Sequence, residues 1–228
     1  MAQKSSRPAP ALTRERIVRL AIKRADAGGL EQVSMRKLAA ELSVTPMALY
    51  WHFSNRDALL DAMVEHVAGE LVYEDDPDAS WQERLRGVLT ATVAAFQKHP
   101  WLGLLARHRI VPAPNFLRAL EVLLDTVRTA GYGPKAAVYI VDFAVDSLAA
   151  LANAFAGESS RGAKPRPASQ TQLEMRRQLL DLAGTKYPRI REAAVPLTKS
   201  ETPDAYVKLG IDILVRGIES AAPTRRRR

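Results

Sequence analysis

The chain has 228 residues, a formal net charge of +8 and an apolar content of 47%, which supports a packed core and excludes a disordered chain. The absence of cysteine excludes disulfides, thiol catalysis and cysteine zinc sites, and it fits a cytoplasmic protein. Residues 1–12 lack the apolar stretch of a signal peptide. The apolar run Ala136–Ala156 contains Asp142 and Asp146, which favours a buried helix over a membrane span.

Positive charge is concentrated at the N-terminal end. Residues 1–66 contain ten Lys and Arg against seven Asp and Glu, and Arg225–Arg228 supply most of the remaining excess. We predict that residues 1–12 form a flexible basic arm and that residues 222–228 form a basic tail. The arm is able to follow a DNA groove, although a frayed terminus explains it equally well. A basic head on a nearly neutral body is typical of a DNA-binding domain joined to a sensing domain.

Three helices are predicted at the start of the chain. The first runs from Thr13 to Ala27 and ends at Gly28-Gly29. Ser34 caps the second, whose apolar residues recur at i, i+3, i+4 and i+7 on one face: Met35, Leu38, Ala39 and Leu42. Thr45 and Pro46 start the third helix, in which we expect Leu49 and Phe53 to point inward. The last two helices are separated by a short turn and form a helix-turn-helix, whose second helix has the size to enter a DNA major groove.

The outer face of the third helix is unusual for a solvated surface, because it carries Tyr50, Trp51 and His52 instead of Lys, Glu and Gln. These side chains, with the flanking Arg36 and Arg56, are able to contact phosphates and base edges. A helix-turn-helix used for packing or for protein contact is the alternative. The combined turn, caps and aromatic face favour DNA binding.

The segment from Leu42 to Met63, LSVTPMALYWHFSNRDALLDAM, resembles the recognition region of TetR-family transcriptional repressors. Its LYWHF part is closest to the tetracycline-repressor branch, and the resemblance covers about residues 13–66. It implies base contacts for one set of residues and mainly phosphate contacts for another. The first set is Arg36, Thr45, Pro46, Met47, Ala48 and Trp51, and the second is Tyr50, His52 and Arg56. Pro46, Met47 and Ala48 depart from that branch, so its operator sequence does not carry over.

A fourth helix is predicted to leave the DNA-binding domain and reach about Val72. Ser54 and Asp57 form its capping signature. An acidic turn over residues 73–79 follows. We therefore expect a helix-turn-helix domain over residues 13–66 and an effector-binding and dimerisation domain over residues 67–221, with the fourth helix as the mechanical link.

The second domain is predicted to be helical throughout. A capping box at Ser80 and Glu83 starts a helix that ends before Pro100. Further helices are expected over Trp101–Arg109, Phe116–Ala130, Pro134–Ala156, from Thr171 to Tyr187 and over Pro203–Ala221, with Leu117, Leu120, Leu124 and Val127 facing inward. A proline-punctuated stretch without a helix is expected between Pro188 and Thr202. No strand alternation is present, so the fold class is all-α with nine or ten helices.

The resemblance also implies an effector pocket among the helices of the second domain. Most aromatic and aliphatic residues there must be core, and a minority should line the pocket. The candidates are Phe96, Trp101, Leu105, His108, Phe116, Leu120, Tyr139, Phe143 and Asp146. We find no match to the polar and metal ligands that tetracycline repressors use for their magnesium-bound drug. We therefore expect a different, largely apolar or aromatic small molecule, and no metal or cofactor.

The long helix Pro134–Ala156 and the last helix Pro203–Ala221 are the candidates for self-association. Gly210 and Gly217 lie one heptad apart beside apolar residues, and the candidate interface is Gly210, Ile213, Leu214, Gly217 and Ile218. Small residues permit close helix approach, although packing within one chain explains this pattern as well. The resemblance implies a two-fold homodimer built on a four-helix bundle, which presents two recognition helices to successive major grooves.

An enzyme is disfavoured by the absence of a catalytic constellation. The four His are scattered without metal spacing, and no nucleophile or zinc motif is present. Gly131, Gly133 and Ala136 imitate a dinucleotide fingerprint, but no strand precedes them. We predict a ligand-responsive, sequence-specific transcriptional regulator, a repressor released from a palindromic operator by a small, largely apolar molecule. The alternative is an all-α sensor or protein-interaction module that does not act through DNA.

Overall fold

The computed structural model describes residues 11–76, 78–106, 109–153, 170–183, 186–198 and 203–223. Within these ranges every regular element is a helix, which confirms the all-α prediction. Eleven α-helices and one short 3-10 turn are present in the described residues, slightly more than expected. His108, most of the N-terminal arm and the Arg225–Arg228 tail lie outside the described residues.

The first three helices form a small domain as predicted. They are α1 (Arg14–Gly28), α2 (Met35–Glu41) and α3 (Pro46–Tyr50), with a 3-10 turn at Leu30–Gln32 between α1 and α2. The predicted caps Ser34 and Thr45 are confirmed, because their hydroxyls accept an N–H from the first turn, and the Thr13 hydroxyl caps α1 in the same way. The domain closes on a core of fully buried side chains: Ile17, Ala21, Leu38, Leu49 and Phe53.

The turn between α2 and α3 contains Ser43 in the left-handed region, with φ of 58°. Non-glycine residues rarely adopt this conformation. Two backbone hydrogen bonds hold the turn, from Ser43 N to Ala40 O and from Val44 N to Ala39 O. The angle between the two helices is therefore set by a turn of fixed backbone geometry.

Helix α4 (Arg56–Gly69) begins and ends at different residues from those predicted. The capping residue is Asn55, whose side-chain oxygen accepts the N–H of Ala58 at 2.8 Å, so the assignment of the cap to Ser54 was wrong. Asn55 has the extended backbone of an N-cap residue, and its carboxamide does what the Ser54 hydroxyl was expected to do. The helix stops before Val72, which is almost fully exposed.

The second domain is built around α5 (Trp81–Lys98), which packs against α6 (Pro100–Ala106), α7 (Pro114–Thr129), α8 (Pro134–Asn153) and α11 (Pro203–Ser220). The predicted capping box at Ser80 and Glu83 is confirmed. Leu117 was expected to face inward but is 44% exposed, while Val122 and Leu123 are buried instead. The other three residues expected to face inward do so, since Val127 is buried and Leu120 and Leu124 are partly buried against the core.

Two further helices, α9 (Gln170–Ala183) and α10 (Pro188–Leu197), pack chiefly on each other. The expectation of a non-helical stretch after Pro188 was wrong, because Pro188 occupies the first turn of α10, where its missing N–H costs nothing. Helix α9 begins at Gln170, one residue before the expected start at Thr171. The pair carries several exposed apolar side chains, among them Leu173, Met175 and Leu197.

Helix α8 is long and apolar enough to cross a membrane when judged by length and composition alone. One face, however, packs against α5, α6, α7 and α11 and contributes Ala137, Val141, Ala144 and Leu148 to the core. The packing of this helix agrees with a core helix of the second domain.

Candidate nucleic-acid interface and ligand cavity

Helix α3 presents its aromatic face to solvent. Leu49 and Phe53 are buried and hold the helix on the domain core, as predicted. On the other side Trp51 is 84% exposed, and Met47 and Tyr50 are also exposed. Large apolar side chains that are exposed to solvent indicate an interaction surface. We call the exposed residues Thr45, Pro46, Met47, Tyr50 and Trp51 the recognition surface.

The remaining predicted DNA contacts flank this surface. Arg36 of α2 is exposed and has no hydrogen bond or ion pair with a described residue. Ala48 and His52 are half-buried. The Thr45 hydroxyl accepts the N–H of Ala48 at 3.3 Å, and its own proton remains available as a donor. The contact of these residues with DNA stays a prediction.

Arg56 has a bonding pattern that its sequence position did not suggest. Its Nε donates to the Val33 carbonyl and its second terminal nitrogen to the Leu30 carbonyl, both at 2.9 Å. The side chain therefore ties the first turn of α4 to the loop before α2. The contact of Arg56 with a DNA phosphate stays a prediction. Such a contact must form while the two hydrogen bonds to Val33 and Leu30 are kept.

Arg14 also supports the recognition helix, a role that was not predicted from the sequence. Its guanidinium donates to the backbone carbonyl of His52 at 2.9 Å and lies 4.3 Å from the centre of the Phe53 ring. It thus supplies a donor to a carbonyl at the C-terminal end of α3. The signal available in the sequence was an Arg at the start of α1, a position that does not reveal its partner 38 residues away.

A cavity of about 590 Å³ lies among α4, α5, α6, α7 and α8. Four of the predicted effector residues line it: Phe96, Phe116, Leu120 and Asp146. Trp101 and Leu105 do not line it, because Trp101 is buried with its indole N–H on Asp26 of α1. Tyr139 and Phe143 do not line it either and are 62% and 66% exposed.

The lining of the cavity by α8 follows the helical period. Its cavity stripe is Val138, Val141, Asp142, Val145 and Asp146, which are spaced i, i+3, i+4, i+7 and i+8. Tyr139 and Phe143 fall on another face. Tyr139 and Phe143 were predicted from residue type, whereas the helical period of the apolar residues identifies the stripe.

Helix α4 is connected to the cavity wall at two places. Arg109, which lines the cavity, pairs with Asp57 at 2.9 Å and with Asp61 at 2.6 Å. Burial acts against the charged form, but these two carboxylates raise the pKa of Arg109 above its usual value. The Glu65 carboxylate accepts the N–H groups of Asn115 and Phe116 at the start of α7, each at 3.0 Å.

The five candidates for self-association on α11 do not share one environment. Ile218 is buried in the chain's own core. A Cβ at Gly210 would lie 2.7 Å from Leu151 Cδ1, so Gly210 permits close packing on α8. Ile213 is exposed, Leu214 is half-buried, and the space beside Gly217 is open. Packing within the chain thus accounts for Gly210 and Ile218.

No cluster of three or more His, Asp or Glu side chains able to hold a metal occurs in the part of the chain that the structure describes.

Two family models match the chain. One, bacterial regulatory proteins of the tetR family, matches residues 17–63, and the other, the tetracyclin repressor-like C-terminal domain, matches residues 74–222. An HTH-type transcriptional regulator of Saccharopolyspora erythraea is 34% identical over 131 residues, or 58% of this chain. The chain spans only 56% of that regulator's length.

Two further similarities extend over nearly the whole chain. The tetracycline repressor protein class C of Escherichia coli is 27% identical over 213 residues, which is 91% of each protein. The Streptomyces coelicolor TetR family protein ActR, solved in complex with actinorhodin, has a TM-score of 0.73 and 30% identity. That alignment covers 93% of this chain and 99% of ActR.

Proposed function

Since the chain belongs to the TetR family of bacterial regulatory proteins, we propose that it is a ligand-responsive transcriptional regulator that binds a DNA operator. The observation that carries the proposal is the recognition surface, where Trp51, Tyr50 and Met47 stand exposed on a helix whose opposite side is buried. Operator binding gives this exposed apolar surface a function. The protein acts in the cytoplasm and without catalysis.

DNA binding combines two kinds of contact. Thr45, Pro46, Met47, Ala48, Trp51 and Arg36 approach base edges, while Tyr50 and His52 hold phosphates. Arg56 contacts phosphate only with the part of its guanidinium that is not bonded to Leu30 and Val33. Since phosphate contacts release counterions, affinity falls steeply as salt rises.

The active form is a two-fold homodimer built from α8 and α11. These helices pack on each other and leave apolar side chains exposed, namely Tyr139 and Phe143 on α8 and Leu209 and Ile213 on α11. A second copy covers them in a four-helix bundle. The two recognition helices then lie roughly 34–36 Å apart, one turn of DNA, and engage a palindrome.

Self-association is tested by Ile213→Glu, with Leu197→Glu as the matched control. Both side chains are exposed, but Leu197 lies on α10, which is not one of the helices of the proposed bundle. Sedimentation of the first variant is expected to show monomers and that of the control to show dimers. A dimer that persists in Ile213→Glu and in Phe143→Glu contradicts this interface.

The effector occupies the cavity beside α4. Its binding shifts the equilibrium between orientations of the DNA-binding domain relative to the second domain. Arg109 and Glu65 transmit its binding, because each joins α4 to the cavity wall. A displaced α4 changes the distance between the two DNA-binding domains of the dimer. The two domains then cannot bind both half-sites of the operator at the same time. A role in repression is supported by the similarity of most of the chain to the tetracycline repressor protein class C.

The proposal is tested by selecting bound DNA from a random duplex library with the purified full chain. The expected product is a palindrome whose half-sites are about one helical turn apart, or 10–10.5 base pairs. Libraries that return no enriched sequence contradict the proposal. That outcome favours the second candidate, in which the exposed aromatic face of α3 binds a protein.

A further inference from the structure

His99 is a buried titratable residue that takes part neither in DNA recognition nor in the cavity beside α4. It caps the C-terminal end of α5 and lies at the corner between α5 and α6. Its backbone N–H donates to the Ala95 carbonyl at 2.8 Å, and its own carbonyl accepts the N–H of Leu102 at 2.9 Å. The corner thus holds the imidazole ring where α1 of the DNA-binding domain meets the second domain.

The two ring nitrogens of His99 have different surroundings. Nδ1 lies 2.8 Å from Asp26 Oδ1, which also accepts the indole N–H of Trp101 at 2.7 Å. Because an ionised carboxylate only accepts hydrogen bonds, the proton of the neutral ring lies on Nδ1. Nε2 is buried and has no hydrogen-bond partner in the described part of the chain. The neutral ring therefore leaves a buried acceptor without a donor, which is unusual in a folded protein.

Glu70, at the end of α4, faces this nitrogen. Its Oε2 lies 4.0 Å from His99 Nε2, which is too far for a hydrogen bond. Two acceptors thus face each other, and a proton on Nε2 turns one of them into a donor. The gap then has to close by about 1 Å to reach the length of a charge-assisted bond. The Glu70 side chain has room for this shift, since it is 43% exposed and borders a second cavity of about 340 Å³.

The charged and titratable groups around His99 come from three helices. They are Asp26 of α1, His66 and Glu70 of α4, and Lys98 of α5, while α6 has no titratable side chain. Lys98 Nζ donates to Glu70 at 2.6 Å and chiefly by this bond lowers the pKa of Glu70, so Glu70 is ionised when a histidine gains its proton. With neutral histidines, two carboxylates stand against one ammonium. A proton on His99 balances these charges.

We propose that His99 is a pH-sensitive link between the DNA-binding domain and the second domain. On protonation Nε2–H donates to Glu70 while Nδ1–H stays on Asp26, so that one ring joins α1 to the end of α4. Histidine is the side chain that ordinarily changes its charge between pH 5 and 8. The consequence rests on the proposed function, in which a displaced α4 releases the operator. The closed link opposes this displacement, and operator binding is tighter at acidic pH.

The link is tested first without DNA, by a double-mutant cycle of His99→Asn and Glu70→Gln. Urea midpoints of wild type, both single variants and the double variant are measured at pH 5.5 and pH 8. The two changes are expected to be non-additive at pH 5.5, because each removes the same bond, and nearly additive at pH 8. Additive midpoints at pH 5.5, or the same coupling at both pH values, overturn the link.

His66 provides the matched control. It is the other histidine beside Glu70, with Nε2 at 3.5 Å from Oε1, and its side chain is more exposed than that of His99. His66→Gln is expected to leave the coupling between His99 and Glu70 intact at pH 5.5. Loss of the coupling in this background assigns the pH dependence to His66 and overturns the proposal.

A direct measurement on the ring covers the case in which His99→Asn does not fold. The chain has four histidines, and replacement of His52, His66 and His108 by Gln leaves the ring signals of His99 alone. Long-range ¹⁵N–¹H spectra are expected to show a neutral ring with its proton on Nδ1 at pH 8 and a charged ring at pH 5.5. A ring that stays neutral at pH 5.5, or that carries its proton on Nε2 at pH 8, overturns the link.

The effect on function is the ratio of the operator dissociation constants at pH 8 and pH 5.5, measured with the selected DNA. This ratio is expected to be several-fold larger in wild type than in His99→Asn. His52 of the recognition region also titrates, but it is present in both chains, so the difference between the ratios reports on His99. Equal ratios overturn the effect on operator binding. A chain that binds no specific DNA at either pH contradicts the proposed function instead, while the double-mutant cycle still tests the link.

Discussion

The indole N–H of Trp101 donates to the carboxylate of Asp26 at 2.7 Å, across the junction between the two domains. Asp26 belongs to α1 and Trp101 to α6, and the same carboxylate lies 2.8 Å from His99 Nδ1. His99 and Trp101 are only 3% and 2% exposed. One acidic side chain of the DNA-binding domain thus binds two buried rings of the second domain and links the two domains.

Asp26→Ala is expected to destabilise the protein by about 1–3 kcal/mol, because it leaves buried donors without a partner. Asp26→Asn keeps one acceptor oxygen and should therefore lose less stability than Asp26→Ala. Urea unfolding followed by tryptophan fluorescence measures both. Equal unfolding midpoints for wild type and Asp26→Ala contradict the structural role of this contact.

Arg36 and Arg56 are expected to behave differently although both are exposed arginines beside the recognition surface. Arg36→Ala should weaken operator binding and leave the melting temperature unchanged, since Arg36 has no partner among the described residues. Arg56→Ala should lower the melting temperature as well, because the Leu30 and Val33 carbonyls lose their donor. Thermal unfolding and a mobility-shift titration on the same samples separate the two roles. An unchanged melting temperature in Arg56→Ala rejects the structural role.

Trp51 and Leu49 lie two residues apart on α3 and should show opposite effects. Trp51→Ala is expected to reduce operator affinity without a change in stability, because the side chain is 84% exposed. Leu49→Ala should cost about 2–5 kcal/mol of stability, since it opens a cavity in the domain core. If Trp51→Ala binds the operator as tightly as wild type does, Trp51 has no role in recognition.

We expect the contribution of Glu70 to the stability of the fold to depend on pH. The hydrogen bond from Lys98 Nζ, at 2.6 Å, lowers the pKa of Glu70, and the charges of Lys98, His66 and His99 act in the same direction against partial burial. A group with a lowered folded pKa stabilises the fold above its unfolded pKa, near 4.5, and the contribution is lost as pH falls through the folded value.

Glu70→Gln is therefore expected to be less stable than wild type at pH 7, by less than about 1 kcal/mol since the pair is partly exposed. The difference in the free energy of unfolding between wild type and Glu70→Gln should shrink as pH falls below 4.5. Urea unfolding at pH 3, 4, 5 and 7 measures it, with Lys98→Met as the control that should lose the same contribution. A difference that is independent of pH contradicts the assignment to this ion pair.

Local signals in the sequence were enough for the first domain. Ser34, Thr45 and Ser80 were predicted as caps because a cap depends on a hydroxyl and the three residues that follow it. The burial of Leu49 and Phe53 followed from helical spacing. Even here, neighbouring candidates such as Ser54 and Asn55 could not be separated, since both are good capping residues.

Contacts distant in sequence could not be predicted from local patterns. The partners of Arg56 are backbone carbonyls 23 and 26 residues away, which carry no mark in the sequence. Tyr139 and Phe143 were selected for their aromatic rings, yet the packing of α8 on its neighbours directs the cavity stripe elsewhere. The position of a helix face depends on tertiary packing, which residue type alone does not give.

The central claim is that α3 reads a DNA sequence, and the most direct test is the ratio of two dissociation constants. These are measured by fluorescence anisotropy for the selected operator and for a scrambled duplex of the same length, at the same physiological salt. The operator is expected to bind at least about a thousandfold more tightly, and Trp51→Ala should bring the ratio down. A ratio near one for the wild-type chain contradicts the claim.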